Sequence, residues 1–288
     1  MFYSEAVYRT LGDLSINVEF GDEHDLRLNF RVMALANALK VHPIKGIRDI
    51  VPINSSLGIY YDPFTISRQK LIASLKEMGQ GLGELTEVTS RLFKVPLWYG
   101  DRWTRECAAE HGKPYWLESL AELNDVTVEQ FNKIHSESDW WVSAVGWMPG
   151  CWQAMPLNPA AAMKGGKATS PRSWTPVRTI GTIGRLTTYY PLRAPGGYQP
   201  IANTPVDFYD PKMPYPIFEG RPVIPRVSDR HRYVPIDETT YREIRRAYEG
   251  GSYEYEVVEE VYQVQEYIDR LNAFQKTLAE QESEGGQN

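Results

Sequence analysis

The chain has 288 residues, 42% hydrophobic and 24% charged, with a net charge of -6, which is the composition of an ordinary globular protein and gives no support to a nucleic-acid partner. Its two cysteines, Cys107 and Cys151, are too few for a disulfide framework and fit a reducing cytoplasm; neither they nor the five histidines fall at metal-ligand spacing. No secretory leader is expected in MFYSEAVYRTLGD, no stretch is apolar enough to span a membrane, and no glycine-rich nucleotide motif predicts an ATP site.

In chain order, Ser15–Phe20 alternates as a strand with Ile16, Val18 and Phe20 on one face. Asp25 stands at a helix N-cap position, and Leu28, Val32, Leu35 and Leu39 follow at helical spacing. Pro43 and Gly46 end that helix. Two strands, Ile47–Val51 and Ser56–Tyr61, flank a turn at Asn54. Asp62-Pro63 is expected to open a second helix bearing Leu71, Leu75 and Met78, and Val88–Leu97 reads as a further strand. Strand, helix, strand, strand, helix, strand predicts a ferredoxin-like α+β unit.

Helical periodicity returns in Asp101–His111, Tyr115–Leu123 and Val128–His135, the last with Thr127 and Gln130 spaced as a capping box. Trp140–Trp147 reads as a strand. Fifteen of the twenty prolines fall between Pro149 and Pro235, which excludes long helices there and predicts a β-rich half. Within it, Thr179–Ile183, Leu186–Tyr190 and Val206–Tyr209 are β-prone runs around Pro195-Gly196-Gly197-Tyr198-Gln199. Two glycines there permit backbone conformations closed to other residues, although such a turn is often purely structural. A helix over Thr239–Tyr248, an edge strand over Tyr253–Val261 and a helical stripe from Val264 to Leu278 complete the tail; residues 282–288 are expected to be disordered. The expected domains are 1–94, 95–236 and 237–288.

Chemistry is sparse on these grounds. Lys167 and Arg172 flank a small loop and suit a carboxylate, Arg172 in bidentate fashion, or are simply solvated charges. His135 lies near Ser136 and Asp139, which is no argument for a triad; for a lone histidine a structural hydrogen bond is the expected role. Cys151 has no activating base beside it in sequence. No metal site is expected.

Taken together, the ordered pieces Gly146-Trp147-Met148-Pro149-Gly150, Pro156-Leu157-Asn158-Pro159, Arg172-Ser173-Trp174-Thr175-Pro176, Tyr190, Pro195-Gly196-Gly197-Tyr198-Gln199 and Thr204-Pro205 resemble the first half of the carboxyltransferase region of urea carboxylase. The same superfamily includes the B component of 5-oxoprolinase, allophanate hydrolase subunit 1 and the Kip inhibitor of a sporulation kinase. Gly12-Asp13, Val18-Glu19-Phe20 and Tyr60-Tyr61-Asp62-Pro63 extend the resemblance to the N-terminal segment. It implies a small α/β unit followed by a cyclophilin-like β-barrel with a helical C-terminal tail. It also implies transfer of a carboxyl group from carboxybiotin to an amide-type nitrogen, with biotin carried and ATP used by partner components. Those partners would be a second carboxyltransferase half, similar to allophanate hydrolase subunit 2, and biotin carboxylase and carrier components. The candidate site residues are Arg172, Lys167 and His135 for catalysis and Pro195, Gly196, Gly197, Tyr198, Tyr190, Asn203 and Thr204 for substrate. The resemblance leaves open an ATP-dependent amide hydrolase subunit and a non-catalytic kinase regulator. The family's Gly-Arg pair before Thr204 is replaced by Ala202-Asn203, its 5-oxoprolinase branch has Gln-Thr-Gly where this chain has Leu186-Thr187-Thr188, and Arg193 is an added cation.

Overall fold

The computed structural model describes residues 1–81 and 83–285, which form two compact units, Met1–Val88 and Thr89–Asn288. In the first, β1 (Phe2–Leu11), β2 (Ser15–Gly21), α1 (Leu26–Val41), β3 (Ile47–Ile53), β4 (Ser56–Tyr61) and α2 (Arg68–Gln80) follow in order. The sheet runs β1-β2-β4-β3, all neighbours antiparallel. Ile16 and Val18 of β2 and Leu57 and Ile59 of β4 face Leu28, Val32 and Leu35 of α1 and Leu71 and Leu75 of α2 in one core. Asp25 caps α1 as expected, accepting from the Arg27 N–H at 2.8 Å.

Two expectations fail in this unit. Asp62 does not open α2: its carboxylate accepts the Phe64 N–H at 3.0 Å and bonds the Thr65 hydroxyl, closing a turn, and Ser67 caps the helix. The ferredoxin-like pattern also lacks its last strand. The expected Val88–Leu97 strand is β5 (Glu87–Tyr99), which pairs with strands of the second unit, while the N-terminal β1 lines the edge of β2. Periodicity places both helices and three strands but cannot assign a strand to its sheet, because alternation is the same in either.

The second unit continues with α3 (Arg102–Glu110), α4 (Trp116–Leu123), α5 (Val128–Ser136), β6 (Asp139–Val145), β7 (Trp152–Pro156), β8 (Arg172–Thr175), β9 (Thr179–Thr182), β10 (Thr187–Tyr190), β11 (Ala194–Gly196), β12 (Gln199–Asn203), β13 (Arg230–Pro235), α6 (Glu238–Glu249), β14 (Val257–Gln263) and α7 (Val264–Gly285). The capping box forms: Thr127 and Gln130 exchange bonds at the start of α5. Seven strands close a barrel in the order β6-β13-β5-β12-β9-β10-β7, with β7 returning to β6. Closure leaves no free edge among these strands. β13 runs parallel to β5; β14 adds to β5 outside the ring. Val206–Tyr209 is not a strand, because Val206 and Phe208 are buried as plugs and only Tyr209 forms an isolated bridge, to Val223. The helix α7 runs through Glu282 to Gly285, where disorder was expected; residues 286–288 lie outside the described residues. Among the described residues, no helix is long and apolar enough to cross a membrane.

The core of this unit is aromatic. Trp152 stacks on Tyr189 at 4.5 Å and meets the His231 ring at 4.4 Å, with Phe208 and Phe93 around them. Among the described residues, neither His231 nitrogen has a hydrogen-bond partner, and burial drives its pKa from 6.5 to about 3, with Arg91 adding to the effect. A neutral imidazole is thus required here. The unfolded chain takes up a proton as pH falls below about 6.5, the folded chain does not, so this stability is present at pH 7 and is lost as pH falls toward 3. Between pH 7 and 5 the single group accounts for about 2 kcal/mol. His231→Phe is expected to flatten the fall in stability over that interval by this amount, read from denaturant melts of both proteins at each pH; equal slopes would contradict it.

Candidate functional site

The glycine turn is built by a short two-stranded sheet standing beside the barrel. β11 pairs with β8 so that Ala194 lies opposite Thr175 and Gly196 opposite Arg172. Arg172 is only 6% exposed. Its Nη1 donates to the Tyr198 carbonyl at 2.6 Å, and its Nε and Nη2 donate to Thr175 Oγ1 at 3.1 and 2.9 Å. The guanidinium lies over the Trp116 ring at 5.1 Å and the Tyr190 ring at 5.7 Å. Burial draws its pKa below the usual guanidinium value. Among the described residues, no carboxylate forms a salt bridge with it. A buried charge is ordinarily paired, so this one leaves a positive potential under the turn.

Gly196 is required by space. Its backbone is not in the left-handed region, contrary to expectation for this pair, and neither is that of Gly197. A methyl group at Gly196 would lie 2.5 Å from Tyr190 Oη and 2.8 Å from both Arg172 Nη2 and Thr175 Oγ1. At Gly197 the nearest neighbours would be 3.8 Å away, an ordinary contact. Pro195 is exposed at the turn.

A second loop supplies a free cation. The Gly197 carbonyl accepts the Ala168 N–H at 2.8 Å, and Gln199 donates to the Gly166 carbonyl at 2.9 Å, so the loop carrying Lys167 is tied to the turn. Lys167 is exposed, with its ammonium 5.2 Å from the Tyr198 ring centroid, and it has no ion pair among the described residues. Arg193 rests over Trp174 at 4.1 Å. Tyr190 and Tyr198 are buried, and burial raises both phenols, Arg172 opposing it at Tyr190. Trp147, in the other glycine loop, is 69% exposed and meets Tyr190 edge-on at 6.0 Å. Its φ of 70° is left-handed, a conformation that costs a non-glycine residue on the order of 1–3 kcal/mol.

The structure therefore brings together Lys167, Arg172, Tyr190, Pro195, Gly196, Gly197 and Tyr198. It does not bring His135, Asn203 or Thr204 into that contact set. His135 is fully buried, stacked on Tyr233 at 4.7 Å with Nδ1 2.7 Å from the Tyr99 hydroxyl, and burial lowers its pKa to about 3. Asn203 donates to the Val177 carbonyl and accepts from the Tyr241 hydroxyl, at 2.8 and 2.7 Å. Thr204 donates its N–H to the Arg178 carbonyl. Both cysteine thiols are pushed up to about 11 by burial, so neither is a ready nucleophile. Thr175 and Trp116 were missed. Thr175 lies inside the Arg-Ser-Trp-Thr-Pro piece and was within reach of sequence reasoning; Trp116, in a separate helix, gave no signal. The first unit has a groove of about 750 Å³ lined by Ala38, Val41, Met78 and Leu85. Its rim carries Glu77, Glu84 and Glu87, which suits no anion.

The second unit is thus a closed barrel that carries a buried guanidinium, with no described carboxylate paired to it, against a glycine turn. Residues 6–218 match the carboxyltransferase domain, subdomain C and D, and the chain belongs to that family. It is 28% identical to the B component of 5-oxoprolinase from Bacillus subtilis, over 80% of this chain and 93% of that protein. It is 27% identical to the urea amidolyase of Lachancea kluyveri over 98% of this chain, but spans only 16% of that protein. The crystal structure of Kluyveromyces lactis urea carboxylase shares the fold, with a TM-score of 0.86 at 23% identity, over 98% of this chain and 27% of that one.

The two glycines separate the roles of space and flexibility. Gly196→Ala is expected to displace Arg172 and Tyr190 and to lower stability by about 1–3 kcal/mol. Gly197→Ala is expected to leave the stability close to that of the parent. Denaturant melts of both variants check this; equal losses would contradict the packing argument.

Proposed function

We propose that the chain is the carboxyltransferase part of a biotin-dependent assembly of the urea- or guanidine-carboxylase kind. The observation that carries the reading is the positive seat under the glycine turn, formed by buried Arg172 and exposed Lys167 with no described carboxylate to neutralise them. Such a seat suits a carboxylate in transit to an amide-type nitrogen. The cations present fit the carboxylate of a carboxylated ureido ring. Carboxybiotin, carried by one partner component and formed with ATP by another, supplies the carboxyl group when bound.

In this reading Lys167 contacts the carboxylate directly. Arg172 acts as a positioning residue: its donors hold Thr175 and the Tyr198 carbonyl, and its charge stabilises negative charge above the turn at short range. The buried Tyr190 and Tyr198 rings keep water from one side, which strengthens that interaction.

The tail favours the carboxylase branch. The family match ends at residue 218, whereas the urea amidolyase match covers 98% of the chain and so takes in most of the tail. That tail is built into the unit: β13 completes the barrel, β14 pairs with β5, and Tyr241 of α6 bonds Asn203. The second reading, one component of an ATP-dependent amide hydrolase such as 5-oxoprolinase, is favoured by the 93% coverage of the Bacillus subtilis relative.

Affinity purification of the tagged chain from its own cells, probed with streptavidin, decides between them. A biotinylated partner and urea- or guanidine-dependent ATP turnover by the complex are expected; a biotin-free complex that turns over ATP with 5-oxoproline would replace this reading by the second. The purified single chain is expected neither to hydrolyse ATP nor to become biotinylated. In the active complex, Lys167→Ala is expected to lower kcat/KM about a hundredfold with an unchanged melting temperature, and Lys167→Arg to restore part of it.

A further inference from the structure

We propose that Ser173 and His111 form a nucleophile and its base, a second reactive site that takes the acyl group of small carboxylic esters and passes it to water. It is independent of the carboxylase reading. His111 closes α3, and its ring is held in place: Nδ1 lies 2.8 Å from the Cys107 carbonyl one turn back, and the Trp174 ring centre is 5.6 Å away. A carbonyl oxygen can only accept, so Nδ1 carries the hydrogen of that bond. In the neutral ring Nε2 is then an acceptor. Ser173 Oγ lies 3.2 Å from Nε2, so the hydroxyl donates to it. A hydroxyl, an imidazole and an orienting acceptor behind the imidazole, each within hydrogen-bond reach of the next, is the arrangement that activates a serine. The third member here is a backbone carbonyl, which settles the tautomer without the charge of a carboxylate.

The strand that carries the serine is irregular at this point. Ala194 of β11 stands opposite Thr175 and Gly196 opposite Arg172, so β8 gives two residues, Ser173 and Trp174, where β11 gives only Pro195. A bulge of this kind re-aims side chains, and bulges are frequent beside active sites. Arg172 before it is buried, whereas Ser173 is exposed and His111 half-buried, so the pair is open to a reagent from solvent. The neighbouring Cys107 does not compete for the base. Its thiol is buried and pushed up to about 11, and it lies 3.7 Å from Nδ1, the nitrogen already bonded to the carbonyl.

The charges that bear on this corner are those that act on the Cys107 thiol: Arg172 of β8 and Arg193 before β11, which draw its pKa down, and Glu110 and Asp101 at the two ends of α3, which draw it up. Arg193 is exposed and rests over the Trp174 ring at 4.1 Å. A cation there favours the oxyanion that forms on an attacked carbonyl. In the reaction Ser173 Oγ bonds to the ester carbonyl carbon and the bond to the leaving oxygen breaks. The hydroxyl proton passes to Nε2 and from there to the departing oxygen. Water then bonds to the acyl carbon, giving its proton to Nε2, and that proton returns to Ser173 Oγ as the carboxylic acid leaves.

The test uses the full chain and two probes: a fluorophosphonate, whose phosphorus bonds to an activated serine as fluoride leaves, and 4-nitrophenyl acetate. Mass spectrometry of the digested protein is expected to place the phosphonyl group on Ser173. His111→Gln is expected to slow that labelling, and the cleavage of the acetate above the level of Ser173→Ala, about a hundredfold at an unchanged melting temperature. Ser173→Ala removes an exposed hydroxyl, so its loss of label does not depend on how His111→Gln folds. In the parent the labelling should fall as the pH is lowered, because a base that already holds a proton cannot accept one, and His111→Gln should lose that fall. An unlabelled Ser173, or a His111→Gln variant labelled at the parent's rate, overturns the pair and leaves the contact a fastening of α3 to β8. Neither outcome alters what the streptavidin test decides.

Discussion

The site depends on one buried cation. Arg172 ties β8 to the segment after β11, because its two faces of donors are taken by Thr175 and by the Tyr198 carbonyl. Removing a guanidinium from water costs several kcal/mol unless it is paired and hydrogen-bonded. Here the hydrogen bonds and the Trp116 and Tyr190 rings supply part of the compensation, and no described carboxylate supplies the rest. A charge left in that state is a potential directed at whatever lies above the glycine turn. Gly196 follows from the same constraint, since the guanidinium, the phenol and the hydroxyl fill the space a side chain would need.

How much of this was legible in the sequence differs by scale. The helices of the first unit were readable because their apolar spacing and the Asp25 cap are local signals. The strands of the barrel were partly readable: Thr179–Thr182 and Thr187–Tyr190 sit in β-prone runs, but β13 lies in a proline-dense region and becomes a strand through its parallel partner β5. The fate of β5 itself was not legible. Whether a strand completes one sheet or another is settled by long-range pairing, and the chain pattern of an alternating strand carries no such information. Likewise Val206 and Phe208 have strand composition, yet their side chains fill the core and their segment is irregular.

At the glycine turn the motif pieces come together in space, but not every candidate residue joins them. Arg172 and Lys167 stand close in sequence, and Arg172, inside the Arg-Ser-Trp-Thr-Pro piece, is there the first candidate to grip a carboxylate. Burial separates them: Lys167 is exposed, and Arg172 is buried with its donors spent on Thr175 and the Tyr198 carbonyl. His135 is a different case. Its nearness to Ser136 and Asp139 in sequence is no argument for chemistry, and the fold turns it into the core against Tyr233 and Tyr99.

The departures from the family pattern gain meaning from the same geometry. Where relatives carry a Gly-Arg pair, this chain has Ala202-Asn203, and the Asn203 amide is satisfied at both ends by Val177 and Tyr241. That position is therefore committed to joining the barrel strand β12 to the tail helix α6. The Tyr241 hydroxyl that meets it also bonds the Thr204 carbonyl, and Arg245 of the same helix pairs with Asp207 at 2.7 Å, so the tail grips the end of β12 at several points. A cation lost at position 203 is thus not a cation missing from the glycine turn. The cations beside the turn are Arg172 and Lys167, whatever stands at position 203. What stands at position 203 thus bears on how the barrel is fastened to its tail, and not on the charges around the glycine turn.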